Sequence, residues 1–427
     1  MVEVLESTLV VPSEETPNHK LWLSNLDQVA ARAYTTTVYL YRSNGDSDFF
    51  RIQTLKSSLS KTLVPFYPLA GRLGLDRTGR VEINCTGDGV PFVVARSGST
   101  IDDFKDFAPS PEIRDSFVPP VESVDPPCFL VAFQVTFLRC GGVVLGVAAH
   151  HVALDGKSAL LFIKTFSAIT RGGINATHNI PPPFFDCTIL AARSPLAVLF
   201  DHSYHSTDVF QTNPSSPSIT TVLKLSRDQV QTLKNNCTNS SSRVSTFHAV
   251  AAYVWKLACI ARRIERNMET QLYLPVDVRN RVNPPLPRNY MGNAAIRAKA
   301  VATVEEIVSN SPSLGAEVIK IAIDKITDEF VKSFIDHLET SGADKESLSK
   351  RGGLPRTSLY AVSWLELPIQ DADFGWGMPE LMARAQWYGC GCVYLMNSPE
   401  EEGGVSVVIA LEEESMGCFK NIFYEEM

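Results

Sequence analysis

Along this chain, apolar and polar positions alternate between two periods, and the period changes mark the elements. From Phe129 to Ala149 two apolar, β-branched runs flank Arg139-Cys140-Gly141-Gly142, which predicts two strands joined by a tight turn. After Asp155-Gly156 the period lengthens: Leu160, Phe162, Ile163 and Phe166 recur at helical spacing until Gly172-Gly173. An amphipathic helix with a glycine stop is expected there. Between residues 174 and 217 the pattern dissolves into prolines (Pro181 to Pro183, Pro195, Pro214, Pro217) among Ser, Thr and Asn, the composition of a surface connection.

Beyond it, Thr220 to Leu225 reads as a strand, followed by a helix through Val230 and Leu233. Ser245-Thr246 precedes a nearly unbroken apolar stretch from Phe247 to Ile264, where a hydroxyl side chain caps the first turn of a buried helix. A run around Val393 to Met396, a Gly-rich turn, the segment Val405 to Leu411 and a short final helix close the chain. Strands and helices mix without strict βαβ alternation, so the expected fold class is α/β of the mixed α+β kind, built as two sandwiches. The expected division is an N-terminal domain over 1-175, a crossover linker over 176-217 and a C-terminal domain over 218-427.

Composition changes this picture little: 427 residues, 44% hydrophobic and 20% charged, are enough for two ordinary cores. The formal net charge of −8 argues against a polyanionic partner, because phosphate neutralisation needs clustered Lys and Arg, yet leaves room for a phosphorylated small molecule at a local basic patch. No nucleic acid is expected as a partner. The first residues lack a basic segment followed by an apolar one, and no apolar run is long enough for a membrane span, so a cytoplasmic chain is expected. Its nine scattered cysteines fit reduced thiols. Cys390-Gly391-Cys392 has no second ligand pair at metal spacing, so no metal site is expected and a buried strand segment is the better reading.

Candidate chemistry centres on histidine, the side chain most easily poised to take a proton near neutrality. In His150-His151-Val152-Ala153-Leu154-Asp155-Gly156, His151 lies at the predicted end of a strand and is followed four residues later by an aspartate before a helix. Two readings meet here. In one, His151 is a general base at a strand end facing a cleft; in the other it is a core histidine, with Asp155 a helix N-cap. Asp155 fits as structural support in both.

The segment HHVALDG, together with Asp373-Phe374-Gly375-Trp376-Gly377 in the same order, resembles the plant BAHD acyltransferase family. The opening ESTLVVPSEETPNHKLWLSNLD, the segment LVPFYPLAGRL and SWLELPIQDADFGWG are similar to its hydroxycinnamoyl transferase branch, and the likeness covers essentially the whole chain. The resemblance implies two chloramphenicol-acetyltransferase-like domains with a channel between them. It also implies transfer of an aromatic acyl group from acyl-CoA, a co-substrate and not a bound cofactor, to an acceptor hydroxyl or amine. His151 is then the base, Trp364 an oxyanion donor, and Ser245 and Thr246 contacts for the CoA arm, although a plain N-cap explains the latter pair as well. Asp155 would pair with Arg279 or Arg281, while Asp373, Gly375, Trp376 and Gly377 support the structure. Where shikimate-using relatives carry a histidine two residues after an arginine, this chain has Arg32-Ala33-Tyr34; where they carry Thr-Ser-Trp, it has Val362-Ser363-Trp364. Tyr34, Val362 and Arg351 are the acceptor-side candidates, and the changes point away from shikimate toward an aromatic amine, a polyamine or an aryl alcohol. The family implies a monomer acting on small molecules. Two other classes compete: a condensation-like enzyme on carrier-protein thioesters, against which DFGWG speaks, and a non-catalytic acyl-CoA or partner-binding member of the fold, against which His151 beside Asp155 speaks.

Overall fold

The computed structural model describes residues 2–104, 108–121, 123–203, 217–237, 244–309, 311–340, 354–368, 371–386 and 389–426. The chain divides into two compact units, each assembled from separated segments.

The first unit comprises Met1–Ala192, Leu286–Ala294 and Leu367–Gln386. Its larger sheet runs β1 (Val2–Val10), β6 (Val90–Ser97), β8 (Val131–Leu138), β9 (Val143–His150), β3 (Tyr34–Tyr41), β14 (Leu381–Arg384). A smaller sheet runs β2 (Lys20–Trp22), β5 (Val81–Asn84), β4 (Arg72–Leu75), β7 (Cys128–Phe129). The predicted hairpin is β8 and β9, antiparallel and turned at Gly141 with φ +81°. Every residue of β9 is buried, which is why it reads as a continuous apolar run instead of an alternating one. Gly146 in its middle is required by contact: a Cβ there would lie 1.7 Å from the Phe117 carbonyl oxygen.

Helices α1 (Asn25–Gln28), α2 (Ile52–Thr62), α3 (Pro111–Phe117) and α4 (Gly156–Gly172) complete this unit. The apolar stripe of α4 lays Phe162 and Phe166 against Phe133 of β8, ring centroids 6.0 and 5.6 Å apart. Gly173, with φ +70°, ends the helix as expected.

The second unit comprises Arg193–Pro285, Ala295–Glu366 and Trp387–Met427. Its sheet runs β10 (Ser218–Leu225), β16 (Val405–Glu412), β15 (Cys392–Asn397), β13 (Ser358–Ser363), β11 (Glu269–Asp277), β12 (Ala295–Thr303). The helices are α5 (Arg227–Cys237), α6 (Thr246–Ala261), α7 (Val304–Ser309), α8 (Pro312–Asp324), α9 (Asp328–Thr340) and α10 (Glu413–Glu425). Helix α6 buries almost its whole circumference, and its Trp255 Nε1 donates to Thr270 Oγ1 at 2.8 Å. It stops before the expected Ile264 because Arg262 turns inward to Glu412 (3.0 Å) and Arg263 takes φ 52°. Cys392 opens β15, but the buried-strand reading of Cys390-Gly391-Cys392 holds only in part: Cys390 and Gly391 form the turn before the strand, and both cysteines are half-buried; all nine cysteines are thiols.

The contiguous division expected from the proline-rich stretch needs correction. The first unit extends to Ala192 and takes in two later segments, so DFGWG belongs to it and not to the C-terminal unit. Just after DFGWG the chain forms β14, whose Leu381 to Arg384 pair antiparallel with Leu40 to Thr37 of β3. Among the described residues no helix is long and apolar enough to cross a membrane, and no cluster of His, Cys, Asp and Glu suits a metal ion.

Candidate active site

Strand β9 ends at His150, and the next five residues form the turn into α4. The two histidines have different environments. His150 is fully buried: its Nε2–H donates to the Val124 carbonyl at 2.9 Å and its Nδ1 accepts from the Val152 amide at 3.3 Å. Burial holds it below the ordinary imidazole value, so it is a neutral fastener of the turn.

His151 is tied by its backbone N–H to the Ala33 carbonyl, 2.9 Å away, while its ring faces Asn293, with Nδ1 to Oδ1 at 3.1 Å. The orientation of the Asn293 amide follows from its other contacts. Its Nδ2 lies 2.8 Å from the His151 carbonyl, 3.1 Å from the Val152 carbonyl and 3.0 Å from Asp27 Oδ1, three acceptors. The amide oxygen is therefore the atom turned to the imidazole, and an oxygen can only accept. Nδ1 must carry the proton, which makes Nε2 the basic nitrogen of His151.

Asp155 explains how Asn293 arrives there. Its Oδ1 accepts from the Ser158 amide at 2.9 Å, capping α4, and its Oδ2 accepts from the Ala294 amide at 3.2 Å. Ser158 adds a second clasp, exchanging hydrogen bonds with the Gly292 amide and carbonyl, each 3.1 Å. Helix α4 thus grips the segment Leu286–Ala294 at its N-terminal end. On the far side, Asn293 is held by Asp27, whose Oδ1 also accepts from the Asn293 backbone N–H at 2.6 Å.

The other sequence candidates fall into separate groups. Tyr34 is 4% exposed; its hydroxyl donates to the Phe129 carbonyl at 2.6 Å and its ring stands edge-on to His150 at 5.0 Å. In DFGWG, Asp373 Oδ1 accepts from the amides of Gly375 (2.8 Å) and Gly377 (3.1 Å), both at positive φ. Phe374 packs on Phe166, 4.9 Å between centroids, Trp376 on Phe50 at 5.0 Å, and Arg171 donates to the Asp373 carbonyl at 2.9 Å. Arg171 lies in the last turn of α4, so DFGWG sits about 25 Å along that helix from Asp155.

In the second unit, Ser245 caps α6, accepting from the His248 amide at 3.2 Å, with Thr246 the first helical residue. Trp364 follows β13, buried, its ring edge-on to Tyr394 at 5.3 Å, and Val362 lies half-buried on that strand. Arg279 sits 3.3 Å from Asp277, while Arg281 donates to the carbonyls of Ile323 (3.1 Å), in the last turn of α8, and Ile326 (3.0 Å), just beyond it. Arg351 lies outside the described residues.

Asn293 and Asp27 escaped the sequence reading. The signals available were modest: Gly292, at φ +137°, inside Asn289-Tyr290-Met291-Gly292-Asn293, and the Ser-x-x-Asp spacing of Ser24 and Asp27.

A family model described as "Transferase family" matches residues 1–426. The chain is 46% identical over 444 residues to putrescine hydroxycinnamoyltransferase 1 of Oryza sativa subsp. japonica, covering 100% of this chain and 99% of that one. It is 38% identical to shikimate O-hydroxycinnamoyltransferase of Nicotiana tabacum, covering 99% of each. Among solved structures it superposes on F. graminearum TRI101 complexed with coenzyme A and T-2 mycotoxin at a TM-score of 0.75 and 21% identity, over 94% of this chain and 97% of that one.

Proposed function

The chain belongs to the transferase family of plant BAHD acyltransferases, and from that premise we propose that it moves a hydroxycinnamoyl group from CoA to the nitrogen of an aliphatic diamine or polyamine. The observation that carries the reading is the contact of His151 Nδ1 with Asn293 Oδ1 at the end of β9, which leaves Nε2 basic. In the reaction, the neutral amine attacks the thioester carbonyl while Nε2 takes one of its protons. The tetrahedral intermediate then reforms the carbonyl and expels the CoA thiolate, which the imidazolium protonates; an amide and free CoA result. Direct attack needs no acyl-enzyme.

The amine acceptor is supported by the relative named for putrescine at 46% identity and by the departures at Tyr34 and Val362 from the shikimate pattern. With its hydroxyl committed to Phe129, Tyr34 contributes shape and not a donor for a polyol. The remaining assignments stand as parts of the same proposal: Trp364 for the oxyanion, Ser245 and Thr246 for the CoA arm, Arg279 or Arg281 as the partner of Asp155, and Arg351 and Val362 for the acceptor. DFGWG acts as structural support. The protein works as a cytosolic monomer on small molecules, with acyl-CoA as co-substrate and no metal.

The test is release of free CoA from p-coumaroyl-CoA with putrescine, agmatine, spermidine, shikimate, quinate, tryptamine and aryl alcohols as acceptors. Turnover is expected with a diamine or polyamine and lost in His151→Ala, with CoA-thioester binding retained. Turnover with shikimate alone would refute the acceptor class, and wild-type turnover in His151→Ala would refute the base.

A further inference from the structure

The orientation of the Asn293 amide rests on a residue of the N-terminal segment. We propose that Asp27 is a positioning residue for acyl transfer, acting through Asn293 to hold His151 in the tautomer whose Nε2 is basic. This rests on the reading of His151 as the general base.

Asp27 is fully buried, and each of its oxygens accepts twice: Oδ2 from the Ser24 amide (2.9 Å) and hydroxyl (2.6 Å), Oδ1 from the Asn293 amide (2.6 Å) and Nδ2 (3.0 Å). All four are donors, so the carboxyl is bound as an acceptor throughout. A capping box for α1 accounts for the contacts to Ser24 and needs one oxygen. The second oxygen reaches 266 residues along the chain, to Asn293, whose side-chain amide, with two ends sterically alike, contacts Nδ1 of the His151 ring. Turning that amide over would set its oxygen against Asp27 Oδ1 and two backbone carbonyls, and present an N–H to Nδ1. Nε2 would then carry the proton and could not accept one from the substrate. Burial raises the Asp27 carboxyl, and the hydrogen bonds from Ser24 and Asn293 oppose that rise by satisfying both oxygens. The titratable neighbours offer no competing charge: burial pushes the Cys187 thiol up to about 12 and the Tyr290 hydroxyl upward as well, so both stay neutral.

Asp27→Asn is nearly isosteric, but it sets an NH2 group against either the Ser24 or the Asn293 donors and loosens the amide. The expected result is a fall in kcat of roughly 10- to 100-fold per folded active site, with the KM for p-coumaroyl-CoA within about threefold. In the His151→Ala background the same change should cost nothing further, because the group being positioned is gone. A merely structural Asp27 predicts the reverse: fewer folded molecules, unchanged kcat for those that fold, and an equal loss in both backgrounds. If His151→Ala is inactive while Asp27→Asn keeps wild-type kcat, this inference fails and the general base stands; if His151→Ala turns over normally, the base itself fails. Should Asp27→Asn not fold, the imidazole 15N spectrum of the wild-type protein decides, with His151 assigned by its loss in His151→Gln. Protonation at Nδ1 is required, and protonation at Nε2 overturns the proposal.

Discussion

The contacts of Asp155 with Ser158 and Ala294 fall on different oxygens, and substitution can separate them. Asp155→Ala removes both the α4 cap and the hold on Ala294, so melting temperature and kcat should fall together, with a stability loss of about 1–2 kcal/mol. Asp155→Asn keeps an oxygen for the Ser158 amide but sets an NH2 against the Ala294 N–H. It should therefore melt closer to wild type than the alanine variant while losing a comparable share of kcat. Thermal denaturation beside steady-state rates checks this; a variant whose rate recovers along with its stability would show that only the cap mattered. The pair His151 and Asp155 was legible because a turn between strand and helix packs both into a few residues. Asn293 was not, because its partners His151 and Asp27 lie 142 and 266 positions away, and a single asparagine has no periodicity to betray it.

At the scale of elements, legibility followed continuity. Strands β8 and β9 and helix α4 each have a core face written in consecutive residues, and they fall where their periods place them. Strand β14 has four residues and owes its existence to β3, so no local pattern announces it. What brings it there is DFGWG, whose Asp373 gathers the amides of Gly375 and Gly377 while Phe374 and Trp376 fill the space beside Phe166 and Phe50. Gly375 has φ +103°, and an added Cβ would meet the Arg171 Cα at 3.4 Å. Gly375→Ala should cost about 1–3 kcal/mol of stability through backbone strain. With a helix length between this strap and Asp155, kcat of the folded enzyme should stay within about twofold. A tenfold fall in kcat at unchanged melting temperature would assign DFGWG to the chemistry.

The whole molecule shows why the domain count was readable and the division was not. Composition and length speak for two cores, but Leu286–Ala294 and Leu367–Gln386 return to the first unit from deep within the second half, which no composition shift marks. Acid sensitivity is also a property of the whole, summed over buried and half-buried histidines. Burial holds His150 and His248 below their ordinary value of 6.5, and burial together with the charge of His337 brings His202 down to about 4. Above pH 6.5 these groups are neutral whether the chain is folded or not, and their contribution is complete. As pH falls below it, the unfolded chain takes up protons that the folded one declines, so stability drops with pH. Asp27 runs the other way, since burial raises its carboxyl, but it is one group against three. The melting temperature should therefore fall steadily from pH 7 toward pH 5. His202 packs against Phe330, 4.8 Å away, and Phe334, so His202→Phe keeps an aromatic ring there while removing one titration. That variant should show a shallower decline over the same range, whatever its melting temperature at pH 7. An unchanged slope would mean that His202 is as easily protonated in the folded chain as in the unfolded one, and that its burial among the phenylalanines exerts no hold on its proton.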